Sequence, residues 1–270
     1  MSLQNRILTL LKQHHLSPHA FKDQHFCIDQ EVLRTLTKAA ELTENDVVLE
    51  IGPGLGILTQ EIAVKVKKVI AIEIDENLRP LLENLPPNVE VLFGNALSIL
   101  PKRQDFNKII SNLPYQICEP MLQYLTTAKQ VEKTVLTVPH IFAFKAQQHP
   151  IFSAFFEITI IKEVPKESFY PRPRVNSAII VIIPQKEGND ADFVIRKLHF
   201  QRDKKLKNGL RDALIDLSQE KRKPLTKKQA QEVIDDFRLP EKVLDTLIAK
   251  VSLGVLEEIR EKVEDYWPRD

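Results

Sequence analysis

A proline turn that follows an apolar run carries the residues best suited to chemistry. The turn reads Asn112-Leu113-Pro114-Tyr115. The exocyclic amino group of adenine is a poor nucleophile, because its lone pair is delocalised into the ring. The Asn112 side-chain oxygen and a backbone carbonyl at Leu113 or Pro114 can accept its two N–H groups, which aims the lone pair at a methyl donor. Tyr115 can stack on a base taken out of its helix.

A glycine-rich turn predicts a binding site for a nucleoside cofactor. Gly52, Gly54 and Gly56 follow Glu50 in the run Glu-Ile-Gly-Pro-Gly-Leu-Gly, after a predicted strand and before a predicted helix. Glycines let the backbone turn tightly and let a ligand approach closely. In the dinucleotide fingerprint the third glycine comes one residue later. This spacing, with an acid two residues before Gly52, is typical of the methyltransferase loop that holds the methionine part of S-adenosylmethionine.

Two polar residues stand at the ends of the next two predicted strands. Glu73 lies about 20 residues beyond the loop, where an acidic side chain accepts both hydroxyls of a ribose. Asn95 follows the third predicted strand. In methyltransferases this turn commonly binds the adenine amino group of the cofactor, usually through Asp. The amide oxygen of Asn95 can accept the same bond, but without charge assistance the bond should be weaker.

The pattern of apolar runs predicts the elements that position these residues. Predicted strands are Val47–Ile51, Lys68–Ile74, Val89–Phe93, Lys108–Ile110, Thr134–Val138, Phe156–Ile161 and Ser177–Ile183, with helical patterns at Leu55–Lys65, Asn77–Asn84 and Glu119–Thr126. Alternating strands and helices favour an α/β fold with a parallel, doubly wound sheet. The last two strands suggest an antiparallel hairpin at the sheet edge. A polar linker then leads into purely helical patterns, so we predict domains at 1–187 and 188–270.

Composition places the chain among globular proteins of a reducing compartment. The 270 residues carry a net charge of +1 and only two cysteines, Cys27 and Cys118, with no metal or redox spacing. No apolar run has the length of a membrane span, and the N-terminal segment resembles an amphipathic helix more than a signal peptide. We therefore expect a cytoplasmic protein with no metal. Residues 196–228 contain 12 Lys or Arg against 4 Asp or Glu, which suggests a phosphate-facing surface.

The chain resembles the rRNA adenine N6-dimethyltransferases, that is KsgA with its archaeal and eukaryotic relatives, to which the Erm resistance enzymes are related. The resemblance runs from about Phe21 to Pro184. The motifs that carry it are Gln24-His25-Phe26, the run from Glu50 to Thr59, Glu73-x-Asp75, Asn112-Leu-Pro-Tyr115 and Phe169-x-Pro171-x-Pro173-x-Val175-x-Ser177. The sequence around Asn112 is closer to that of the KsgA branch than to that of the Erm enzymes.

The resemblance implies a function and further site residues. It implies a Rossmann-like class I methyltransferase domain, a small helical domain that docks rRNA, and S-adenosylmethionine as the cofactor. The expected partner is the small ribosomal subunit or its precursor, during ribosome biogenesis. The protein is expected to be a monomer. Gln24, His25 and Asn112 are expected to contact the cofactor. Phe169 is expected to sandwich the flipped adenine opposite Tyr115.

Departures from the family pattern leave alternatives open. Asp23 and Asn95 stand where the family usually has Gly and Asp. The usual helix after the fifth strand is replaced by Val138–Lys145, whose start Pro139 should disturb, and the following segment also differs. The chain is therefore either an active dimethyltransferase or a weakly active or inactive paralogue that serves as an RNA-binding assembly or transcription factor. An Erm-like methylase of large-subunit rRNA is a third alternative, and the number of methyl groups transferred stays open.

Overall fold

A computed structural model describes residues 2–18, 23–186 and 188–267 of the chain. Phe21, where the family resemblance begins, and Glu187, at the predicted domain boundary, lie outside the described residues. The chain divides into two units, one of Met1–Gln147 with Glu157–Pro184 and one of Gln148–Phe156 with Gln185–Asp270. The second unit thus includes nine residues, Gln148–Phe156, that the sequence analysis assigned to the catalytic domain.

Nine strands and thirteen α-helices are found among the described residues. The strands are β1 (Phe26–Cys27), β2 (Val47–Ile51), β3 (Lys68–Glu73), β4 (Val89–Phe93), β5 (Lys108–Asn112), β6 (Lys133–Pro139), β7 (Phe156–Val164), β8 (Phe169–Tyr170) and β9 (Ser177–Pro184). The helices are α1 (Leu3–Gln13), α2 (Gln30–Ala39), α3 (Ile57–Ala63), α4 (Arg79–Leu82), α5 (Ala96–Ile99), α6 (Cys118–Leu125), α7 (His140–Gln147), α8 (Pro150–Phe155), α9 (Asp190–His199), α10 (Leu206–Glu220), α11 (Lys227–Asp236), α12 (Glu241–Leu244) and α13 (Leu253–Tyr266). In these parts of the chain no helix has the length and apolar character needed to cross a membrane.

Seven strands form one sheet in the order β4-β3-β2-β5-β6-β9-β7. The strands β2 to β6 pair in parallel with their neighbours, and β9 pairs antiparallel with β6. The central strands are continuous apolar runs, as expected for strands covered on both faces. The predicted α/β fold class is confirmed. The two strands expected to form the edge hairpin, β7 and β9, are neighbours at one end of the sheet, with β7 outermost.

A second, two-stranded sheet was not predicted from the sequence. Strand β1 pairs antiparallel with β8, with Phe26 opposite Tyr170 and Cys27 opposite Phe169. Each strand has two residues, too few to show an alternating pattern. This pairing holds the segment before α2 against the loop that follows β7, which are separated by more than 140 residues in the sequence.

Pro139 does not disturb the helix that follows it, contrary to the expectation from the sequence. It is the last residue of β6, and α7 begins one residue later at His140. A proline at this point costs no intrahelical hydrogen bond, because the first N–H groups of a helix have no partner within it.

The helical unit is built around one apolar core. Leucines at 210, 214 and 217, which the sequence placed on one helical face, are buried there with side chains of α9, α11 and α13. Two of its helices begin with capping boxes, in which Asn189 pairs with Asp192 and Thr226 pairs with Gln229. Each box satisfies backbone N–H groups that the helix leaves free, and so defines where the helix starts.

A buried ion pair joins the start of β5 to the turn before β2. The Lys108 ammonium lies 2.9 Å from Asp46 and also donates to the Glu41 carbonyl. Asp46 further accepts from Asn107 and from the Thr43 N–H. Burial opposes ionisation, but these bonds outweigh it and lower the pKa of Asp46.

Substitution of Lys108→Met should lower the free energy of unfolding by about 3 kcal/mol, because it leaves the buried Asp46 carboxylate without its cation. The matched control is Lys68→Met. Lys68 pairs with Glu90 at the surface, and its loss should cost less than about 1 kcal/mol. Urea unfolding followed by circular dichroism measures both, and equal losses would contradict the structural role assigned to Lys108.

Candidate active site

A cavity of about 270 Å³ lies at the carboxyl ends of the parallel strands. Nine of the residues predicted for the site line it: Gln24, His25, Glu50, Gly52, Gly54, Glu73, Asn95, Asn112 and Pro114. Four others predicted for the site, Gly56, Leu113, Tyr115 and Phe169, are not part of its lining. Open α/β sheets bind their ligands at this edge, outside the carboxyl ends of the strands. The sheet therefore brings together residues from Gln24 to Pro114 of the sequence.

The glycine loop forms one wall of the cavity. Gly52 and Gly54 have φ angles of +68° and +56°, which side chains with a Cβ rarely adopt. A Cβ at Gly54 would also lie 3.0 Å from the ring of Phe26, and one at Gly52 would lie 3.4 Å from Pro114. The loop therefore passes close to the β1 segment on one side and to the Asn-Leu-Pro-Tyr turn on the other. Gly56 precedes α3, outside the lining.

Glu73 holds the end of β3 and the glycine loop together. One carboxylate oxygen accepts from Gly54 N–H at 3.1 Å, and the other accepts from the N–H groups of Ile74 and Asp75. The residue is only 4% exposed. Burial raises the pKa of Glu73 although these three bonds favour the charged form. Beside it, the Gln24 amide donates to Asp75 at 2.7 Å.

Glu50 is a carboxyl group buried against the same cavity. It is 1% exposed, and no described residue is hydrogen-bonded to its Oε2 atom. Burial raises the pKa of Glu50 to about 8, an effect that the neighbouring Thr59 hydroxyl opposes and the charge of Glu73 reinforces. A buried carboxyl without a cation stays protonated near neutral pH. A cation bound beside Glu50 would favour its charged form.

Asn95 is both a cavity residue and a helix cap. Its side-chain oxygen accepts from Leu97 N–H at 2.9 Å, at the start of α5. The bond fixes which end of the amide faces the backbone, because the N–H can bond only to the oxygen. The amide oxygen keeps one lone pair for a ligand, and the amide nitrogen offers donors.

Asn112 ends β5 and faces the cavity in a defined orientation. Its Nδ2 donates to the His25 carbonyl at 2.9 Å. A carbonyl can only accept, so the nitrogen must face His25 and the Oδ1 atom must point elsewhere. The Pro114 carbonyl already accepts from Ile117 N–H at 3.1 Å. Leu113 is 1% exposed, so its side chain belongs to the core and only its backbone can serve a ligand.

Tyr115 is tied to the strand β9. Its hydroxyl and that of Ser177 are 2.5 Å apart, and its ring centroid lies 5.9 Å from that of His25. The His25 ring in turn contacts the Pro171 carbonyl at 2.8 Å. Burial raises the pKa of Tyr115. The tyrosine thus stands between the β1 segment and the loop after β8.

The structure places Phe169 in the core of the sheet unit. Its side chain is 1% exposed and packs in the apolar cluster of the sheet unit. The cause is the pairing of β8 with β1, which sets Phe169 opposite Cys27. Its neighbour Tyr170 is 39% exposed. For Phe169 to stack on a base, its ring would have to leave this cluster.

Some cavity residues were missed as site residues from the sequence. Ile7 of α1 and Gln116 both line the cavity. Asp23 was noticed only as a departure from the family pattern, yet it also lines the cavity. The amphipathic pattern of α1 was the only signal for Ile7, and nothing in the local sequence marked Gln116. Within the described residues, no group of three or more His, Cys, Asp or Glu is placed to hold a metal ion.

Comparison with known proteins identifies the family. The profile of the ribosomal RNA adenine dimethylase family matches residues 17–238. The chain belongs to this family. A probable ribosomal RNA small subunit methyltransferase A of Methanosarcina barkeri is 36% identical over 223 residues, which cover 76% of each chain. The corresponding protein of Pyrococcus abyssi is 32% identical over 216 residues, covering 76% of this chain and 79% of the relative.

Solved structures of similar fold agree with the family assignment. A dimethyladenosine transferase from Plasmodium falciparum superposes with a TM-score of 0.59 at 23% identity, covering 87% of this chain and 96% of its own. The 23S rRNA methyltransferase ErmE superposes with a TM-score of 0.56 at 21% identity, covering 88% and 99%. At these identities the likeness establishes the methyltransferase fold. The family match establishes that the chain is an rRNA adenine methyltransferase.

The raised pKa of Glu50 predicts how stability depends on pH. The folded chain keeps this proton up to a pH of about 8, whereas the unfolded chain releases it near the ordinary value of 4.5. The free energy of unfolding should therefore fall as pH rises from 4.5 to 8, by at most about 1.4 kcal/mol per pH unit for this group, and level off above.

A Glu50→Gln variant should lack this contribution. The difference in the free energy of unfolding between the variant and the wild type should therefore change between pH 4.5 and pH 8. Urea unfolding at pH 5, 6, 7 and 8 measures it. Glu157→Gln, at an exposed position of β7, is the matched control and should parallel the wild type. A constant difference between wild type and Glu50→Gln at every pH would refute the assignment.

Proposed function

We propose that this enzyme transfers methyl groups from S-adenosylmethionine to N6 of adenosines in small-subunit ribosomal RNA during ribosome biogenesis, forming N6,N6-dimethyladenosine. The observation that carries the proposal is the orientation of Asn112. Its amide nitrogen is bound to the His25 carbonyl, and its oxygen is left to accept from the target amino group beside the cofactor cavity. The names of the similar proteins from Methanosarcina and Pyrococcus support the small subunit as the source of the RNA.

The residues of the cavity suit a cationic nucleoside cofactor. S-adenosylmethionine supplies a methyl group on a positively charged sulfur and carries an ammonium group on its methionine part. The buried Glu50 carboxyl has an oxygen without a hydrogen-bond partner among the described residues, and a cation there stabilises its charged form. Glu73 faces the cavity at the end of β3, where the ribose hydroxyls are expected. Gln24 and His25 close the cavity from the β1 side.

The Asn-Leu-Pro-Tyr turn positions the target base. The Asn112 oxygen accepts one N–H of the adenine amino group. The carbonyl of Leu113 or Pro114 accepts the other, since the Pro114 carbonyl keeps a lone pair beside its bond from Ile117. Together they hold the nitrogen lone pair towards the methyl donor, which is catalysis by positioning. No general base is required, because the proton can leave after the transfer. Tyr115 contributes a stacking surface, and Phe169 would join it only after leaving the core.

We propose that residues 1–187 carry out catalysis and that residues 188–270 dock the RNA. In the second part, Lys204 pairs with Asp212, and Lys205 and Lys207 both pair with Asp245. Arg222 and Lys223, in the loop between α10 and α11, are exposed, whereas Lys221 beside them pairs with Asp190. Ammonium groups already held by carboxylates gain less from a phosphate, so we expect this loop to contribute most to the salt dependence of binding. We further propose a monomer in the cytoplasm.

The first experiment is transfer of labelled methyl from S-adenosylmethionine to small ribosomal subunits that lack these methyl groups, with the product nucleosides resolved. The wild type should form N6,N6-dimethyladenosine, and large subunits should gain no label. Label in large subunits would favour an Erm-like target. No transfer with cofactor binding intact would favour an RNA-binding assembly factor.

The Asn112→Ala variant should lose at least about 99% of the transfer rate, since it removes one of the two acceptors that orient the amino group. RNA binding, measured by filter retention, should stay within about twofold because the binding surface is unchanged. Gln123→Ala, on the part-exposed side of α6, is a control for nonspecific effects and should keep the wild-type rate. Activity that survives Asn112→Ala would rule out its role.

The Asn95→Asp variant should bind S-adenosylmethionine about threefold to tenfold more tightly, because a charged oxygen accepts more strongly from the adenine amino group. The cap at Leu97 N–H would be kept, since Asp caps helices as well as Asn does. Isothermal titration calorimetry measures the gain. S-adenosylhomocysteine, whose sulfur is uncharged, is the control ligand. A gain confined to the charged cofactor would show that general electrostatics, and not the adenine contact, is responsible.

A further inference from the structure

Asp23 connects the cofactor side of the cavity to residues 112–116, which we call the target-base turn. Its Oδ2 atom accepts from the Gln116 N–H at 3.0 Å. Gln116 belongs to the short 3₁₀ turn Tyr115–Ile117, which follows Asn112-Leu-Pro and leads into α6. The bond therefore crosses 93 residues of sequence and ends within the motif that is proposed to hold the base. Asp23 and Gln116 both line the cavity.

The backbone at Asp23 explains which residues this position accepts. Its φ angle is +49°, in the left-handed region. Glycine adopts this region without cost, and Asn and Asp adopt it more readily than other residues do. Asp23 therefore combines a left-handed backbone with a side-chain contact that glycine could not make.

The two residues after Asp23 are also anchored, each to a different part of the site. The Gln24 amide donates to Asp75 at the end of β3, and the His25 carbonyl accepts from Asn112 at the end of β5. We call residues 23–25 the strap. It is bonded to the cofactor side through Gln24 and to the target-base turn through Asp23 and His25. The distance between the two sides of the site thus depends on this short segment.

We propose that Asp23 is a positioning residue, which latches the strap to the turn 112–116 and so sets the distance between the methyl donor and the target base. The carboxylate suits this place, because the N–H of Gln116 is at the start of a helical turn, where negative charge is favoured. A bond to a charged acceptor is also stronger than one to a neutral acceptor. The proposal rests on the function proposed above.

The test compares two variants that both tolerate the left-handed backbone. Asp23→Gly removes the latch without backbone strain, and Asp23→Asn keeps an acceptor oxygen but removes its charge. With cofactor and small subunits saturating, Asp23→Gly should reduce the single-turnover rate of methyl transfer about tenfold. Asp23→Asn should retain about a third of the wild-type rate, because a neutral acceptor keeps most of the bond. The free energy of unfolding serves to show that both variants are folded.

Hydrogen exchange of the segment 113–118 supplies a second readout that does not need activity. Loss of the latch should speed exchange of the Gln116 amide about tenfold in Asp23→Gly and much less in Asp23→Asn. A wild-type rate of methyl transfer in Asp23→Gly, or an equal loss of that rate in both variants, would overturn the latch. If the wild type transfers no methyl group, the proposed function fails. The exchange data then decide the latch alone, with unchanged Gln116 exchange in Asp23→Gly overturning it.

Discussion

The parallel register of β2, β3 and β5 is the constraint on which the site depends. Ile51 lies opposite Ile72, and Leu49 lies opposite Ile109, so the three strands end at the same edge of the sheet. Glu73 and Asn112 are the last residues of β3 and β5, and the glycine loop comes directly after β2. Because side chains alternate between the faces of a strand, a shift of one residue in any pairing would turn these groups away from the cavity. The buried ion pair between Lys108 and Asp46 anchors the other end of β5.

Charge gives the cavity its chemical character. Glu50 and Glu73 are buried carboxyl groups with raised pKa values. Burial without cations disfavours their charged forms. A ligand with positive charge relieves that penalty, and a ligand that has lost its charge does not. For the proposed reaction, the same groups therefore favour the methyl donor, whose sulfur is charged, over the product, which keeps only the ammonium charge.

The strap and the small sheet show how distant segments are brought to one site. Strand β1 pairs with β8, the His25 ring contacts the Pro171 carbonyl, and the His25 carbonyl accepts from Asn112. These contacts surround Tyr115, which also reaches Ser177 on β9. The same pairing buries Phe169 in the core. Thus the contacts around Tyr115 go together with the burial of the Phe169 ring, which the motif suggested as a second stacking ring.

The sequence by itself determined the α/β class, the strands of the large sheet and nine of the residues that line the cavity, including Glu50, Glu73 and Asn112. These features are local, since apolar runs, glycine spacing and proline turns act over a few residues. Only the tertiary structure decided the place of β9 inside the sheet, the membership of Gln148–Phe156 in the helical unit, the burial of Phe169 and the latch from Asp23 to Gln116. Each of these depends on contacts between residues far apart in the chain, and neither residue of such a pair carries a local mark of its partner.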